Sequence, residues 1–206
     1  MDNTAHTFIR IAGVCAILAP IVMFIGDCLL LISDRRFEWT IALWLSFVLF
    51  VPGIFGLTYL ARAGYRRLAI VGGASAFFGA MAGASMQVLF RVWAVLGELG
   101  SPQTIELLRG SFKLIATTQM IGLFFPAGLL ILAACLYRSR LFGPLVPLAL
   151  AGGAILFPIG RIAGLLVGVI GGDLLLIAAF GMAGSRLLSA RHGEPEKADM
   201  STAGTG

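Results

Sequence analysis

Charged residues are scarce in this chain, and their scarcity decides the class of protein. Only 12% of the 206 residues are Asp, Glu, Lys or Arg, whereas 59% are hydrophobic and the mean hydropathy is +0.97. A soluble domain carries roughly a quarter charged residues, so the composition predicts an integral membrane protein. The net charge of +5 does not indicate a nucleic-acid partner, because the basic residues stand singly or in pairs between apolar runs.

Histidine and cysteine are also rare, which excludes several kinds of site. The two histidines, His6 and His192, lie near the termini and cannot hold a haem inside the membrane. The three cysteines all fall within apolar runs and are interpreted as small buried hydrophobes rather than a disulfide framework. No zinc motif, glycine-rich phosphate loop or nucleophile elbow is present. We therefore expect no metal and no cofactor.

The apolar runs predict an all-α protein with six transmembrane helices in one bundle. A spanning helix needs about 20 mostly apolar residues. The runs place helices at about 8–33, 40–61, 67–97, 113–137, 140–157 and 159–188, followed by a disordered tail at 190–206. The fifth helix is short and contains Pro144 and Pro147, which leaves a tilted or re-entrant helix open there. The turn after it is placed at "FPIGR", residues 157–161, where proline and glycine favour a tight turn.

The distribution of basic residues predicts the orientation of the bundle. The side that holds both termini carries nine Lys and Arg residues, and the opposite side carries five. Because cytoplasmic loops are richer in Lys and Arg, we expect a multi-pass protein of the cell (inner) membrane with both termini in the cytoplasm.

Small residues recur at every fourth position in two of the predicted helices. The segment "GRIAGLLVGVIGG", residues 160–172, has glycine at each fourth position, and Ser75, Gly79 and Gly83 repeat the spacing on the third helix. Such ridges let helix backbones approach closely. We interpret them as packing faces, directed toward another helix of the chain or toward a second copy in a homo-oligomer.

A few polar side chains inside the apolar runs mark the candidate site, because intramembrane ionisable groups are costly and usually functional. The candidates for binding a ligand or a proton are Asp173, Gln87, Gln119, Asp27 and Arg91. A rise of about 1.5 Å per residue places Asp27 and Arg91 roughly 9 Å below the outer surface. The same count places Gln87 and Asp173 near the midplane. We therefore expect Asp27 to pair with Arg91, and Asp173 to bond Gln87 or water without a cation and apart from Asp27.

Three functions are compatible with these features. The first, which we favour, is binding or transport of a small solute or lipophile in an outward-facing polar cavity, with Asp173 taking up a proton or a cationic solute. The second is an intramembrane enzyme that uses Asp27 or Asp173 as a general acid on an isoprenoid-like substrate. The third is a non-catalytic accessory or assembly subunit that packs on partners through its glycine faces. The lipid bilayer is a partner in all three.

Overall fold

The computed structural model describes residues 3–32, 38–100, 102–111 and 120–189, and within these ranges it contains helices and no strand. The helices are α1 (Asn3–Ile32), α2 (Glu38–Ala61), α3 (Arg66–Glu98), α4 (Pro102–Arg109), α5 (Phe124–Ser139), α6 (Leu145–Ala163) and α7 (Leu166–Ser189). Five of them, α1, α2, α3, α6 and α7, are long and apolar enough to cross a membrane, and α5 is a shorter apolar helix. The predicted all-α membrane bundle is confirmed.

The surface of the bundle matches a bilayer rather than water. Large apolar side chains such as Val71, Phe78 and Leu148 remain exposed on the outside of α3 and α6. In water such a surface would be an aggregation-prone patch. In hydrocarbon it costs nothing, and each helix satisfies its own backbone N–H and C=O groups.

Six helices pack side by side in a closed ring. Each contacts its neighbours in the order α1, α2, α3, α5, α6, α7 and back to α1, and α2 also touches α5 and α7. Consecutive members run in opposite directions, so the described chain ends, Asn3 and Ser189, lie at one end of the ring. We call the opposite end the distal end. It holds the last turns of α1, α3 and α6 and the first turns of α2, α5 and α7.

The core of the ring is an aromatic cluster that joins α2, α5 and α7. The fully buried rings of Phe50 and Phe125 meet edge to face with centroids 5.1 Å apart, and Phe50 meets Phe180 at the same distance. Such pairs contribute about 0.5–1.5 kcal/mol each beyond the area they bury. They fix how the three helices cross.

The last turn of the bundle lies later in the chain than the sequence predicted. The predicted helices 140–157 and 159–188 are corrected to α6 and α7, because α6 continues through Pro158. α6 has 19 residues, against 18 in the predicted fifth helix, and is long and apolar enough to span a membrane. Proline is tolerated within membrane helices because neighbouring groups satisfy the backbone it frees.

Gly164 forms the actual turn between α6 and α7. Its φ of 65° lies in the left-handed region, where glycine has no steric penalty, and the N–H of Leu165 donates a hydrogen bond to the carbonyl of Gly160 (2.9 Å). The turn is therefore a glycine C-cap rather than a proline break.

The glycines of residues 160–172 do not form one ridge, because the turn divides them between two helices. Gly160 lies on α6 and Gly168 on α7, and the two face each other. A Cβ on Gly160 would stand 2.5 Å from the backbone nitrogen of Val169, and a Cβ on Gly168 would stand 2.9 Å from the Cα of Gly160. These glycines bring α6 and α7 together within the same chain.

The small residues of α3 face α5 and α2. The Ser75 hydroxyl donates a hydrogen bond to the carbonyl of Phe124 (3.0 Å), and a Cβ on Gly79 would overlap the backbone of Phe125. A Cβ on Gly83 would meet the ring of Phe47 at 2.6 Å. The first part of the predicted fourth helix, residues 113–119, and the predicted disordered tail lie outside the described residues.

Candidate functional site

A cavity of about 820 Å³ lies at the distal end of the ring, and all six ring helices contribute to its wall. Most of the lining is apolar. Its aromatic side chains are Trp39, Phe47, Phe90, Phe125 and Phe157. Among the described lining residues, the polar side chains are Asp27, Gln87 and Arg161.

Arg161 stands in the last turn of α6, where a cation interacts favourably with the helix dipole. Side chains on a helix lean toward its N-terminus, which directs Arg161 away from the distal surface and into the bundle. Its guanidinium lies over the ring of Phe157, 4.0 Å from the centroid, and Nη1 donates to the carbonyl of the same residue (3.4 Å). The side chain is therefore held against the cavity wall.

Two carboxylates meet the guanidinium of Arg161 on its far side. Nη2 donates a hydrogen bond to Oδ2 of Asp27, and Oδ1 of Asp173 lies 3.6 Å from the same nitrogen. The side chain of Arg161 is 26% exposed, whereas those of Asp27 and Asp173 are 3% and 0% exposed. The two carboxylates also interact electrostatically with each other. We call Asp27, Arg161 and Asp173 the charged triad.

The triad overturns two predictions made from depth. Asp27 pairs with Arg161 and not with Arg91. Asp173 is not a midplane group without a cation. Because α7 begins at Leu166, Asp173 is seven residues from the helix start, or roughly 10 Å from the distal end. Asp27 precedes the end of α1 by five residues, or roughly 8 Å, so the aspartates lie at similar depth.

Gln87 lines the cavity, but it does not form the predicted hydrogen bond with Asp173. It is buried on α3, and its Oε1 has no hydrogen-bond partner among the described residues. Both carboxylate oxygens of Asp173 likewise lack one, so the expected bond between the two side chains is not formed. Oε1 of Gln87 and the carboxylate oxygens of Asp173 are therefore buried acceptors without a hydrogen-bond donor within the described part of the chain.

The other two candidates do not join this cluster. Arg91 lies one turn beyond Gln87 on α3, interacts with another residue, and is not among the lining residues of the cavity. Gln119 lies outside the described residues.

Arg161 is the member of the charged triad that the sequence did not predict, because the predicted helix 159–188 places it on the same helix as Asp173, twelve residues or roughly 18 Å away. The four letters "RIAG" at residues 161–164 are no signal for it, because they also occur at residues 10–13, in the interior of α1.

The cavity has an aromatic floor. Phe47 and Phe125 line it, with ring centroids 5.8 Å apart, and beneath them lies the fully buried Phe50, 5.1 Å from Phe125. Phe157 closes the same layer from α6 at 5.4 Å from Phe125. This layer separates the cavity from the other half of the ring.

The arrangement can hold an apolar molecule and fix one polar group of it at a guanidinium. Pockets of this kind combine a mostly apolar wall with a few placed polar groups. With all three members ionised, the charged triad carries a net charge of −1, and one proton would make it neutral. No known protein family, curated protein sequence or solved structure matches this chain.

Proposed function

We propose that the protein binds a lipophilic small molecule in the cavity at its distal end. The observation that carries the proposal is a mostly apolar cavity of about 820 Å³ with one paired arginine in its wall. Ligand sites are commonly about 300–1,000 Å³ in volume, so the cavity has the size for a molecule of several rings or a folded acyl chain.

The lining supports a lipophile rather than a hydrophilic solute. A polar solute would lose its hydrogen bonds to water on entry. Among the described lining residues, three polar side chains would be available to replace them. An unreplaced hydrogen bond costs about 1–3 kcal/mol, so such a solute would bind poorly. An apolar molecule loses nothing on entry and gains packing against five aromatic rings.

The aromatic floor and the triad support binding over transport or catalysis. Transport needs a route to the other half of the ring, where the described core is packed around Phe50 and Phe180. A general acid must carry a proton to give. Asp27 accepts a hydrogen bond from Arg161 and is a poor proton donor, and Asp173 is fully buried and not among the described residues that line the cavity.

The distribution of basic residues gives the orientation of the protein in this proposal. With Arg161 inside the bundle, nine basic residues against four support a membrane protein with both termini in the cytoplasm. The distal cavity would then face the non-cytoplasmic side, where a lipophile could enter from the outer leaflet or from the medium.

Equilibrium binding of tritiated benzophenone to the protein in lipid nanodiscs tests the proposal, with empty nanodiscs as the blank. We expect saturable binding of one molecule per chain. Met86→Trp fills the cavity that Met86 lines and should weaken binding at least tenfold. Met81→Trp, on the exposed face of the same helix, is the matched control and should bind as the wild type does. Binding equal to empty nanodiscs, or unaffected by Met86→Trp in a folded protein, would overturn the proposal.

A further inference from the structure

We infer that the cavity selects a neutral lipophile whose polar group is a hydrogen-bond acceptor, such as a carbonyl or ether oxygen, and that Arg161 recognises this oxygen. This inference rests on the proposed function and adds the chemical class of the ligand. Two observations support it: Arg161 is the member of the charged triad that faces the cavity, and the charges around Arg161 are nearly balanced.

The member of the triad that a ligand meets is the donor. A guanidinium has five N–H groups. The side chain of Arg161 uses Nη2 for Asp27 and Nη1 for the carbonyl of Phe157, and it remains 26% exposed. Asp27 also lines the cavity but is only 3% exposed, and Asp173, which is 0% exposed, is not among the described lining residues. A ligand in the cavity can therefore accept a hydrogen bond from the N–H groups of Arg161. Little carboxylate surface is available to accept a hydrogen bond from the ligand.

The charge balance disfavours both kinds of ion. An anion that reached Arg161 would also face the carboxylate of Asp27, which is hydrogen-bonded to the same guanidinium, and a cation would meet the guanidinium first. Among the described lining residues, Asp27 and Arg161 are the charged ones, so nothing else there shifts the balance. A neutral acceptor gains a charge-assisted hydrogen bond without either repulsion.

Gln87 independently indicates that a polar group belongs in this cavity. Its side chain is buried, lines the cavity and has an oxygen without a hydrogen-bond partner in the described structure. A buried amide oxygen left unpaired is destabilising. A water that donates one hydrogen to this oxygen and the other to the oxygen of the ligand would remove that cost.

Four probes that share two phenyl rings test the inference by competition with tritiated benzophenone in zwitterionic nanodiscs. They are benzophenone (neutral acceptor), diphenylmethane (neutral, no acceptor), diphenylacetate (anion) and diphenylmethylammonium (cation). After correction for partition into empty nanodiscs, we expect benzophenone to bind at least tenfold more tightly than diphenylmethane and more tightly than either ion.

The outcomes separate the two proposals. If diphenylmethane binds as well as benzophenone, acceptor recognition is wrong and lipophile binding stands. If either ion binds most tightly, the cavity is an ion site and acceptor recognition is again wrong. If no probe binds saturably, both proposals fall.

A variant without the triad assigns the effect to Arg161. Replacing Arg161 by Met together with Asp27→Asn and Asp173→Asn leaves no unpaired charge. We expect benzophenone's advantage over diphenylmethane to fall below threefold, with diphenylmethane binding retained. Arg186→Met is the matched control, because Arg186 also lies over a ring, that of Phe142, and bonds a backbone carbonyl.

A persistent advantage in the triad variant would overturn the inference. Should that variant fail to fold, Arg161→Lys keeps the charge but removes the fork of donors. It is expected to reduce the advantage at least threefold, and an unchanged advantage would likewise overturn the inference.

Discussion

Oδ1 of Asp173 lies 3.6 Å from Nη2 of Arg161, although the two residues stand on different, antiparallel helices. The turn at Gly164 makes this possible, because it places Arg161 in the last turn of α6 and Asp173 early in α7. Asp27 completes the contact from α1. The position of one turn therefore determines which charges meet inside the bundle.

The pair of Asp27 and Arg161 should show a coupling energy in unfolding experiments. Breaking a buried ion pair costs about 3–5 kcal/mol, and Arg161 is partly exposed, so Asp27→Asn and Arg161→Gln should each cost about 2 kcal/mol. Because each change abolishes the same bond, the double variant should be more stable than the sum predicts by about 1 kcal/mol or more. Denaturant unfolding in mild detergent measures the cycle.

Arg91 supplies the control for this cycle. Asp27→Asn and Arg91→Gln should add, because Asp27 pairs with Arg161 instead. Coupling of Asp27 with Arg91, or additivity with Arg161, would contradict the triad.

Asp173→Asn should change which charged probes the cavity accepts while leaving the neutral one almost unaffected. At a pH high enough to ionise Asp173, the substitution removes one negative charge behind Arg161 and keeps the shape of the side chain. Affinity for diphenylacetate should therefore rise by roughly 1 kcal/mol, about fivefold, and affinity for benzophenone should stay within about twofold. The same competition assay measures both. An unchanged affinity for diphenylacetate would show that Asp173 does not contribute to the field at the cavity.

Gly160→Ala should force α6 and α7 apart. A Cβ there would stand 2.5 Å from the backbone nitrogen of Val169, and a backbone atom cannot rotate away. Overpacking of this kind costs about 1–3 kcal/mol. Gly181→Ala on α7 is the control, since no atom lies within 4 Å of its added Cβ, and it should be neutral or stabilising. Equal melting temperatures for the two variants would contradict the close crossing.

The fold could be predicted from the sequence because run length and composition determine membrane helices almost directly. The boundaries of α2 agree with the predicted 40–61 within two residues. The break between α6 and α7 could not be predicted in the same way. Pro158 gives the local signal of a turn, yet in hydrocarbon the helix continues because its backbone bonds have no alternative partner.

The site was predicted in part for a similar reason. Asp27, Gln87 and Asp173 stand out in the sequence because polar groups inside apolar runs are rare. Their partners depend on depth and on which helices are neighbours. An error of several residues in one turn moved Asp173 by roughly 10 Å along the axis and placed Arg161 on the same predicted helix as Asp173. The ring order that joins α1 to α7 has no signal in the sequence of either helix.

Photo-crosslinking with benzophenone tests the central claim, that a lipophile occupies the distal cavity, most directly. The excited carbonyl inserts into C–H bonds beside it, so peptide mass spectrometry of the irradiated nanodisc protein locates the bound oxygen. We expect adducts on cavity residues such as Leu43, which is 5% exposed, and Phe157, which contacts Arg161, and these adducts should be suppressed by excess unlabelled competitor and by Met86→Trp. Adducts confined to the outer surface, at residues such as Phe78 and Leu148, and insensitive to competitor would contradict it.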